Sequence, residues 1–308
     1  MATKTLNHNL EVYTIKSSDG KTQMSFVPAK GAAGNSFVVQ HAGKERELLF
    51  IHDHFWDLNS PHLPGGWPFL FPICARIERD RVAGNYLYDG HLYNMPIHGI
   101  AAYFAWQVTD ASKPDSITLQ LTDTPKSRAQ YPFSFKIELT YIITANQLIC
   151  KQKYTNTGDK PLPYYAGFHP YFLTPQPGQG KEKVILDYQP VRHFQYNVRM
   201  TDLIGEQPLF KTPIAVTSPE IHEQLVLLGE NKLLTLIYPD GLKMKMQVLG
   251  TSDKDLFSYA QVYSPDDQPF VCVEPWMSFP NALNTVSGVR WLKPQQCDEA
   301  ELSLMVTT

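Results

Sequence analysis

Short runs of apolar and β-branched residues recur along the chain, and turn-forming residues separate them. In Leu242–Val248, apolar residues alternate with Lys243, Lys245 and Gln247, and this period of two gives a strand one dry and one wet face. Comparable runs are Ser36–Gln40, Ile117–Leu121, Phe133–Ile143, Gln147–Tyr154, Lys183–Tyr188, Leu233–Tyr238, Phe270–Val273 and Glu301–Val306. The pattern predicts many short β-strands and no long helix.

Turn residues between these runs indicate hairpins. Asp89-Gly90 and Asp240-Gly241 supply the positive φ angles of tight turns, and Ala145-Asn146 separates two further runs. Hairpins in series make antiparallel sheets, and this many strands cannot remain in one flat sheet. We therefore predict an all-β fold, a large antiparallel β-sandwich, with residues 1–308 forming one domain.

A few segments do not fit the strand pattern. Ser218–Gly229 has a capping serine, a proline at the next position and a terminal glycine, which favours one or two helical turns. Ile51–Gly66, Pro175–Lys183 and Val191–Pro208 are rich in polar and turn-forming residues, and we expect them to be loops.

Composition excludes several classes of protein. The 308 residues are 43% hydrophobic and 19% charged with a formal net charge of −3, so disorder and a basic nucleic-acid surface are not expected. No apolar run is long enough for a membrane span, and the N-terminal residues lack the apolar stretch of a secretory signal. Four scattered cysteines form no CxxC pair. We expect a cytoplasmic protein, a monomer or homodimer, that binds neither nucleic acid nor membranes.

One histidine-rich segment raises the question of a metal. On a strand, His52 and His54 would face the same way, with His62 as a third ligand from the next loop. We interpret the segment instead as a polar surface loop over Phe55 and Trp56, and we predict no metal.

Glu274 is the most informative ionisable residue. It follows the apolar run Phe270–Val273, which is typical of a strand buried on both faces, and we expect Pro275 to end that strand beside Trp276. A buried carboxylate has a raised pKa and suits a base near neutrality. The alternative is a structural carboxylate paired with a cation such as Arg290.

Other ionisable residues lie in similar apolar surroundings. His169 stands in the aromatic run Tyr164–Phe172 and is either a proton donor or a core histidine. His98 precedes Gly99, which suits a site or a simple bend, and Arg76 needs an acceptor after its apolar run. Nearby aromatic residues suit core packing or the C–H faces of a sugar: Trp67, Trp276, Tyr93, Phe168 and Tyr171.

The order of these residues resembles the aldose 1-epimerase (galactose mutarotase-like) family. The resemblance rests on GGWPFLFPICAR, His98-Gly99, His169-Pro170-Tyr171-Phe172 and Glu274-Pro275-Trp276, followed by Asn281 and Asn284. It implies a large β-sandwich that interconverts the α and β anomers of an aldose without a metal or organic cofactor.

The resemblance also implies roles for residues of this chain. Glu274 would be the catalytic base and His169 the acid, with Arg76 and His98 holding substrate oxygens and with Trp276 and Tyr171 as further binding residues. We expect the two catalytic groups to flank one pyranose ring, about 5–8 Å apart, with His169 held in its charged form by Glu274.

Two features depart from the family pattern. Many relatives carry an aromatic residue and Ala-Arg-Asp after His-Gly, whereas here the residues are Ile100-Ala101-Ala102-Tyr103. The family also often supplies an Asp to the sugar hydroxyls, and the nearest candidates here are Glu220, His222 and Glu223.

Two alternative functions stay open at this point. A hexose-6-phosphate 1-epimerase could use Arg76, Arg79 and Arg81 for the phosphate, although Glu78 and Asp80 interrupt that cluster. The other alternative is a carbohydrate-binding or sensing protein without catalysis.

Overall fold

A computed structural model describes residues 1–250 and 256–307, and its regular structure is dominated by strands. The strands of the first half are β1 (Thr3–Asn7), β2 (Leu10–Lys16), β3 (Thr22–Val27), β4 (Ala33–His41), β5 (Lys44–Glu47), β6 (Phe69–Leu70), β7 (Glu78–Arg79), β8 (Val82–Ala83), β9 (Asn85–Tyr88), β10 (His91–Asn94), β11 (Gln107–Asp110), β12 (Ser116–Thr122), β13 (Phe135–Ile143) and β14 (Gln147–Asn156). Those of the second half are β15 (Leu162–Tyr164), β16 (Gly167–Phe168), β17 (Tyr171–Leu173), β18 (Ile185–Tyr188), β19 (Pro190–Tyr196), β20 (Leu203–Gln207), β21 (Ile214–Ala215), β22 (Gln224–Leu228), β23 (Leu233–Ile237), β24 (Lys243–Gly250), β25 (Tyr259–Tyr263), β26 (Phe270–Trp276), β27 (Arg290–Leu292) and β28 (Cys297–Thr307).

Among residues 1–250 and 256–307, helical structure is limited to single turns. The α-helical turns are α1 (Pro125–Arg128) and α2 (Ala282–Thr285), and 3₁₀ turns cover Pro28–Lys30, Asp53–Trp56, Ala101–Tyr103 and Lys181–Lys183. None of the helices in the described part of the chain is long and apolar enough to cross a bilayer.

Three antiparallel sheets form the framework. The largest has nine strands in the order β11-β12-β13-β14-β28-β24-β23-β18-β21, and a second has five in the order β1-β2-β3-β4-β5. The third runs β20-β19-β22-β25-β26-β16-β6, with β17 also paired to β26. Short two-stranded ribbons, β7-β8, β9-β10 and β15-β27, complete the described pairings.

The nine-stranded sheet and the β26 sheet pack face to face. Leu186, Leu234 and Met244 of the large sheet meet Val273 of β26 across a small apolar cavity, and all four are buried. Along β13 the burial alternates strictly, so one face of the large sheet lies in the core and the other lies towards water. The predicted antiparallel sandwich is confirmed.

The predicted hairpins are confirmed. Asp89 (φ 50°) and Gly90 (φ 76°) are both left-handed at the β9–β10 turn, as a type I′ turn requires. Asp240-Gly241 joins β23 to β24, and Ala145-Asn146 joins β13 to β14.

Two segment predictions are wrong because sheet pairing overrides local signals. Gln224–Leu228 forms β22 between β19 and β25, so the helical turns expected over Ser218–Gly229 do not form. Val191–Pro208, expected to be a loop, contains most of β19 and all of β20. The backbone groups of these segments complete a ladder whose buried side chains include Leu225 and Val226.

Pro275 does not end its strand, contrary to expectation, since β26 continues to Trp276. The backbone N–H of Met277 donates to Ala166, so every second nitrogen of β26, including that of Pro275, faces the β16–β17 side. Pairing on that side is interrupted between Gly167 and Tyr171, and the missing proline N–H therefore costs no ladder bond.

Candidate functional site

Strand register brings His169 opposite Glu274. Gly167 pairs with Trp276 and Tyr171 pairs with Cys272, so His169 lies two residues from each pairing, level with Glu274. The interrupted ladder leaves room for both side chains on one face, where His169 Nε2 lies 3.3 Å from Glu274 Oε2. Our expectation of 5–8 Å between the two groups is wrong, and they are in direct contact.

Burial controls the protonation of this pair. Glu274 is 1% and His169 6% exposed. Burial raises the pKa of Glu274 well above 4.5, and the charge of Glu223 adds to that rise. The nearby Trp276 indole N–H opposes it, although it forms no aligned hydrogen bond. Burial also lowers the pKa of His169 well below 6.5, and His98 acts in the same direction. The charged His169 that we expected is therefore not favoured, because burial removes water from the imidazolium and a protonated Glu274 has no negative charge to offset that loss.

The pair is short of hydrogen-bond partners. Within the described chain, Glu274 Oε2, His169 Nδ1 and the Trp276 indole nitrogen are buried without one. Arg290, the alternative partner for Glu274, instead places its Nη2 2.6 Å from Oδ1 of Asp298. A buried carboxylate and imidazole facing a cavity without other partners are available to a ligand.

His98 occupies a left-handed position at a tight turn. Its φ is 65°, and the next residue, Gly99, has a φ of 76° and would place a Cβ 2.4 Å from the Phe71 carbonyl oxygen. His98 Nδ1 lies 2.9 Å from the Cys74 carbonyl oxygen, which only accepts hydrogen bonds. Nδ1 therefore carries the proton, and Nε2 is an acceptor in the neutral ring. Burial lowers the pKa of His98 to about 4, and the charge of Arg76 contributes.

Arg76 is exposed at the mouth of the same cavity. Within residues 1–250 and 256–307 its guanidinium has no ion-pair partner, so its donors are available. Its carbonyl oxygen accepts the backbone N–H of Asn281. The Asn281 side chain donates to Asp202 (2.9 Å), and Asn284 donates to Asn281 (2.8 Å). The two asparagines thus fix the loop that carries Arg76.

These groups converge on a cavity of about 190 Å³. Sequence reasoning missed three of its polar residues, Tyr196, Gln261 and Tyr263. Gln261 pairs directly with Glu274 across β25 and β26, and its oxygen accepts the Tyr196 hydroxyl at 2.8 Å. The sequence signal that could have identified Gln261 is a polar residue at a buried position of the strand pattern SYAQVYS. The lining is Ala75, Arg76, Ile97, His98, His169, Tyr196, Met200, Glu223, Gln261, Tyr263, Glu274, Trp276 and Pro280.

A comparison with sequence families identifies the group to which this chain belongs. The model of the aldose 1-epimerase family matches residues 11–296. The chain belongs to the aldose 1-epimerase family. The resemblance seen in the sequence is therefore confirmed. Protein LacX (chromosomal) of Lactococcus lactis subsp. lactis is 22% identical over 258 residues, which cover 75% of this chain and 80% of LacX.

Solved structures of similar fold agree with this family membership. The Slr1438 protein of Synechocystis sp. PCC 6803 has a TM-score of 0.81 at 23% identity, with 96% of each chain covered. A galactose mutarotase related enzyme from Lactobacillus acidophilus has a TM-score of 0.74 at 22% identity, with 96% of this chain and 97% of that chain covered. At these identities the likeness establishes a galactose mutarotase-like fold.

Several residues that we expected near the substrate lie outside the 190 Å³ cavity of this aldose 1-epimerase family member. Tyr171 lines a neighbouring cleft and stacks on His169, with ring centroids 4.7 Å apart. Arg79 pairs with Asp80 at 3.6 Å, and neither Arg79 nor Arg81 lines the 190 Å³ cavity. The aromatic residues that lie in the core or in the hairpin rather than in this cavity are Trp67, Phe168 and Tyr93.

The loop after His98-Gly99 is ordered without an Arg–Asp pair. Ala101 donates its backbone N–H to the Phe71 carbonyl, and its own carbonyl accepts the Trp106 indole N–H at 3.0 Å. Ala101–Tyr103 forms a 3₁₀ turn, in which the buried Tyr103 hydroxyl has no hydrogen-bond partner in the described chain. Of the candidate acids, Glu223 reaches the cavity in a left-handed conformation with φ 54°.

Proposed function

We propose that this protein is an aldose 1-epimerase that interconverts the α and β anomers of an aldose through acid–base ring opening. The 3.3 Å contact between the buried His169 and Glu274 carries the proposal. Two groups that exchange protons and share one cavity are the minimum that this reaction needs.

The short separation suits the anomeric centre. O1 and O5 of a pyranose are both bonded to C1, so an acid and a base that serve these two oxygens need not stand on opposite edges of the ring. Glu274 takes the proton of the O1 hydroxyl while His169 gives a proton to O5. The C1–O5 bond breaks, and O1 becomes the aldehyde oxygen. Rotation about C1–C2 and closure on the other face, with both proton transfers reversed, give the second anomer.

The proton count of the pair is compatible with this cycle. When both groups are neutral, the imidazole of His169 carries one N–H and the carboxyl of Glu274 carries one exchangeable proton. Once Glu274 Oε2 and His169 Nε2, which lie 3.3 Å apart, align as a hydrogen bond, transfer of that proton produces the carboxylate base and imidazolium acid. The transfer conserves charge, so no proton has to come from solvent.

Other polar residues in the cavity suit the sugar hydroxyls. Arg76 offers donors from the rim, and neutral His98 offers an Nε2 acceptor. Glu223 offers a carboxylate. The oxygen of Gln261 is held by Tyr196, and its amide N–H groups, which have no partner among residues 1–250 and 256–307, can donate to a ligand oxygen. We propose these four as substrate-binding residues, with Trp276 as the apolar wall.

Polarimetry of freshly dissolved α-glucose and α-galactose tests the proposal. We expect the purified protein to accelerate the approach to anomeric equilibrium, and Glu274→Gln and His169→Asn each to reduce this acceleration at least 100-fold, within the range of general acid–base catalysis. His91→Gln, on an exposed hairpin, is the control. Wild-type protein that leaves the spontaneous rate unchanged for every aldose tried would refute the proposal.

A further inference from the structure

A second cleft of about 510 Å³ adjoins the cavity that holds Glu274. The two share Ile97, His98, His169 and Tyr263 in their walls, so the second cleft lies directly beside the anomeric site. The additional walls come from the loop that carries His52, His54 and His62, and from Tyr103, Tyr171, Asp267 and Phe270.

A continuous row of aromatic rings connects the two spaces. His52 and His54 stack with centroids 5.0 Å apart, and His62 lies 6.0 Å from His54. In the other direction, Tyr171 is 5.4 Å from His52 and 4.7 Å from His169. The three histidines of the loop therefore belong to the same wall as the proposed acid.

Of the three loop histidines, only His54 has a side-chain hydrogen bond in the described part of the chain. His54 Nε2 lies 3.1 Å from the Leu63 carbonyl oxygen and donates to it. No side-chain hydrogen bond or ion pair fixes His52 or His62 within residues 1–250 and 256–307. Nor do any three His, Cys, Asp or Glu side chains in that part of the chain have the arrangement of a metal site.

The electrostatics of the cluster favour an anion. Burial lowers the pKa of His52. The neighbouring His54 and His62 lower it further, and only Asp53 raises it. An anion in the cleft can accept N–H donors from His52 and His62, and its charge favours the protonated form of His52, which burial and the neighbouring histidines disfavour. The other ionisable groups on the cleft are Asp267 and the phenols of Tyr103, Tyr171 and Tyr263, together with His98 and His169 on the shared wall. The buried Tyr103 hydroxyl, which has no partner among the described residues, is a further donor.

We propose that this second cleft binds an anionic substituent of the aldose, a phosphate monoester, sulfate or carboxylate, through His52 and His62. This inference rests on the proposed function for the orientation of the sugar. It replaces the Arg76, Arg79 and Arg81 cluster as the receptor of a charged group, since Arg79 and Arg81 do not line the cavity.

Kinetics with matched neutral and anionic sugars test the inference. Glucose, glucose 6-phosphate and glucuronate are compared by polarimetry on wild type, His52→Gln, His62→Gln and the double variant, with His91→Gln as the control. We expect a lower KM for at least one anionic sugar than for glucose, and a KM for it that rises about tenfold or more in the double variant, as the loss of charge-assisted hydrogen bonds predicts. The KM for glucose should change less than twofold.

The pH dependence and a competitor add independent readouts. Burial lowers the pKa of His52 below 6.5, so its imidazole gains positive charge only at lower pH. The KM for glucuronate, whose carboxylate stays ionised, should therefore fall between pH 6.5 and pH 5, and the double variant should lose this dependence. Phosphate and sulfate should compete with the anionic sugar in wild type. Whichever anionic sugar is preferred distinguishes a phosphate from a carboxylate substituent.

Three outcomes would overturn the inference. They are equal KM values for neutral and anionic sugars in wild type, an unchanged KM for the anionic sugar in the double variant, and equal effects of the double variant on both kinds of sugar. Calorimetric titration with glucose 6-phosphate separates this inference from the proposed function. Binding that depends on His52 and His62 without faster anomerisation would retain the anion site and reject the epimerase.

Discussion

Replacing Glu274 with Gln should change how the stability of this protein depends on pH. The substitution keeps the size of the side chain but removes an ionisable group that is 1% exposed and lies 3.3 Å from His169. In the folded protein, burial raises the pKa of Glu274 above 4.5 and lowers that of His169 below 6.5. Folding therefore changes the protons that each group holds, and stability becomes linked to pH.

The sign follows from the proton count. An unfolded chain releases the Glu274 proton above about pH 4.5, whereas the folded protein retains it. Above about pH 4.5, Glu274 therefore holds one more proton in the folded than in the unfolded state. The contribution of Glu274 to the free energy of unfolding is complete below pH 4.5 and is lost as the pH rises. The slope is about 1.4 kcal/mol per pH unit for one proton. From about pH 5 up to the pH at which folded Glu274 ionises, wild type should lose stability relative to Glu274→Gln at this slope.

Urea unfolding followed by tryptophan fluorescence at pH 5, 6, 7 and 8 measures this difference. His169 contributes in the opposite direction below about pH 6.5, but it does so in both proteins and cancels in the comparison. Glu230→Gln is the control, because that side chain is exposed at a turn. Parallel stability profiles for wild type and Glu274→Gln would refute the argument that Glu274 is protonated by burial.

Two further predictions concern the turn that carries His98. Gly99→Ala should destabilise the protein by several kcal/mol more than Gly90→Ala in urea unfolding, because both glycines have φ 76° but only the new methyl at position 99 meets a backbone atom, the Phe71 oxygen; equal losses would contradict this. His98→Gln should raise the KM for glucose about tenfold through loss of a hydrogen bond. Since the pKa of His98 is about 4, the wild-type contribution of its neutral acceptor is lost only as the pH falls through that value, and a strong dependence of this KM between pH 5.5 and pH 8 would count against the role.

The departures from expectation share one cause. Gln224–Leu228 carries helix-capping signals upstream, but β19 and β25 provide a strand partner on each side, and the buried ladder decides the conformation. Pro275 would end an ordinary strand, yet its nitrogen faces the β16–β17 side of β26, where the pairing is interrupted, and its other side remains paired with β25. The residues of β22 and β26 do not by themselves show which strands will lie beside them.

Desolvation is a second property that a sequence does not state. The apolar run before Glu274 indicated burial and a raised pKa, and the structure agrees in direction. For His169, the sequence suggested a charged imidazolium beside a carboxylate, whereas burial and the neighbouring His98 lower its pKa, and both are visible only in the fold. The loop His52–His62 shows the same limit, since its polar character indicated a surface and its position beside His169 became visible only in the fold.

The sequence alone determined the features that depend on neighbours along the chain: the alternating strands, the Asp-Gly hairpins with their positive φ angles, and family membership through motifs in a fixed order. Tertiary structure decided which distant residues meet. His169 and Glu274 come from separate strands, and their contact follows from a register in which Gly167 faces Trp276 and Tyr171 faces Cys272. Local patterns fix backbone conformation, whereas pairing and burial are cooperative properties of the whole sheet, and these set the geometry and the protonation of the site.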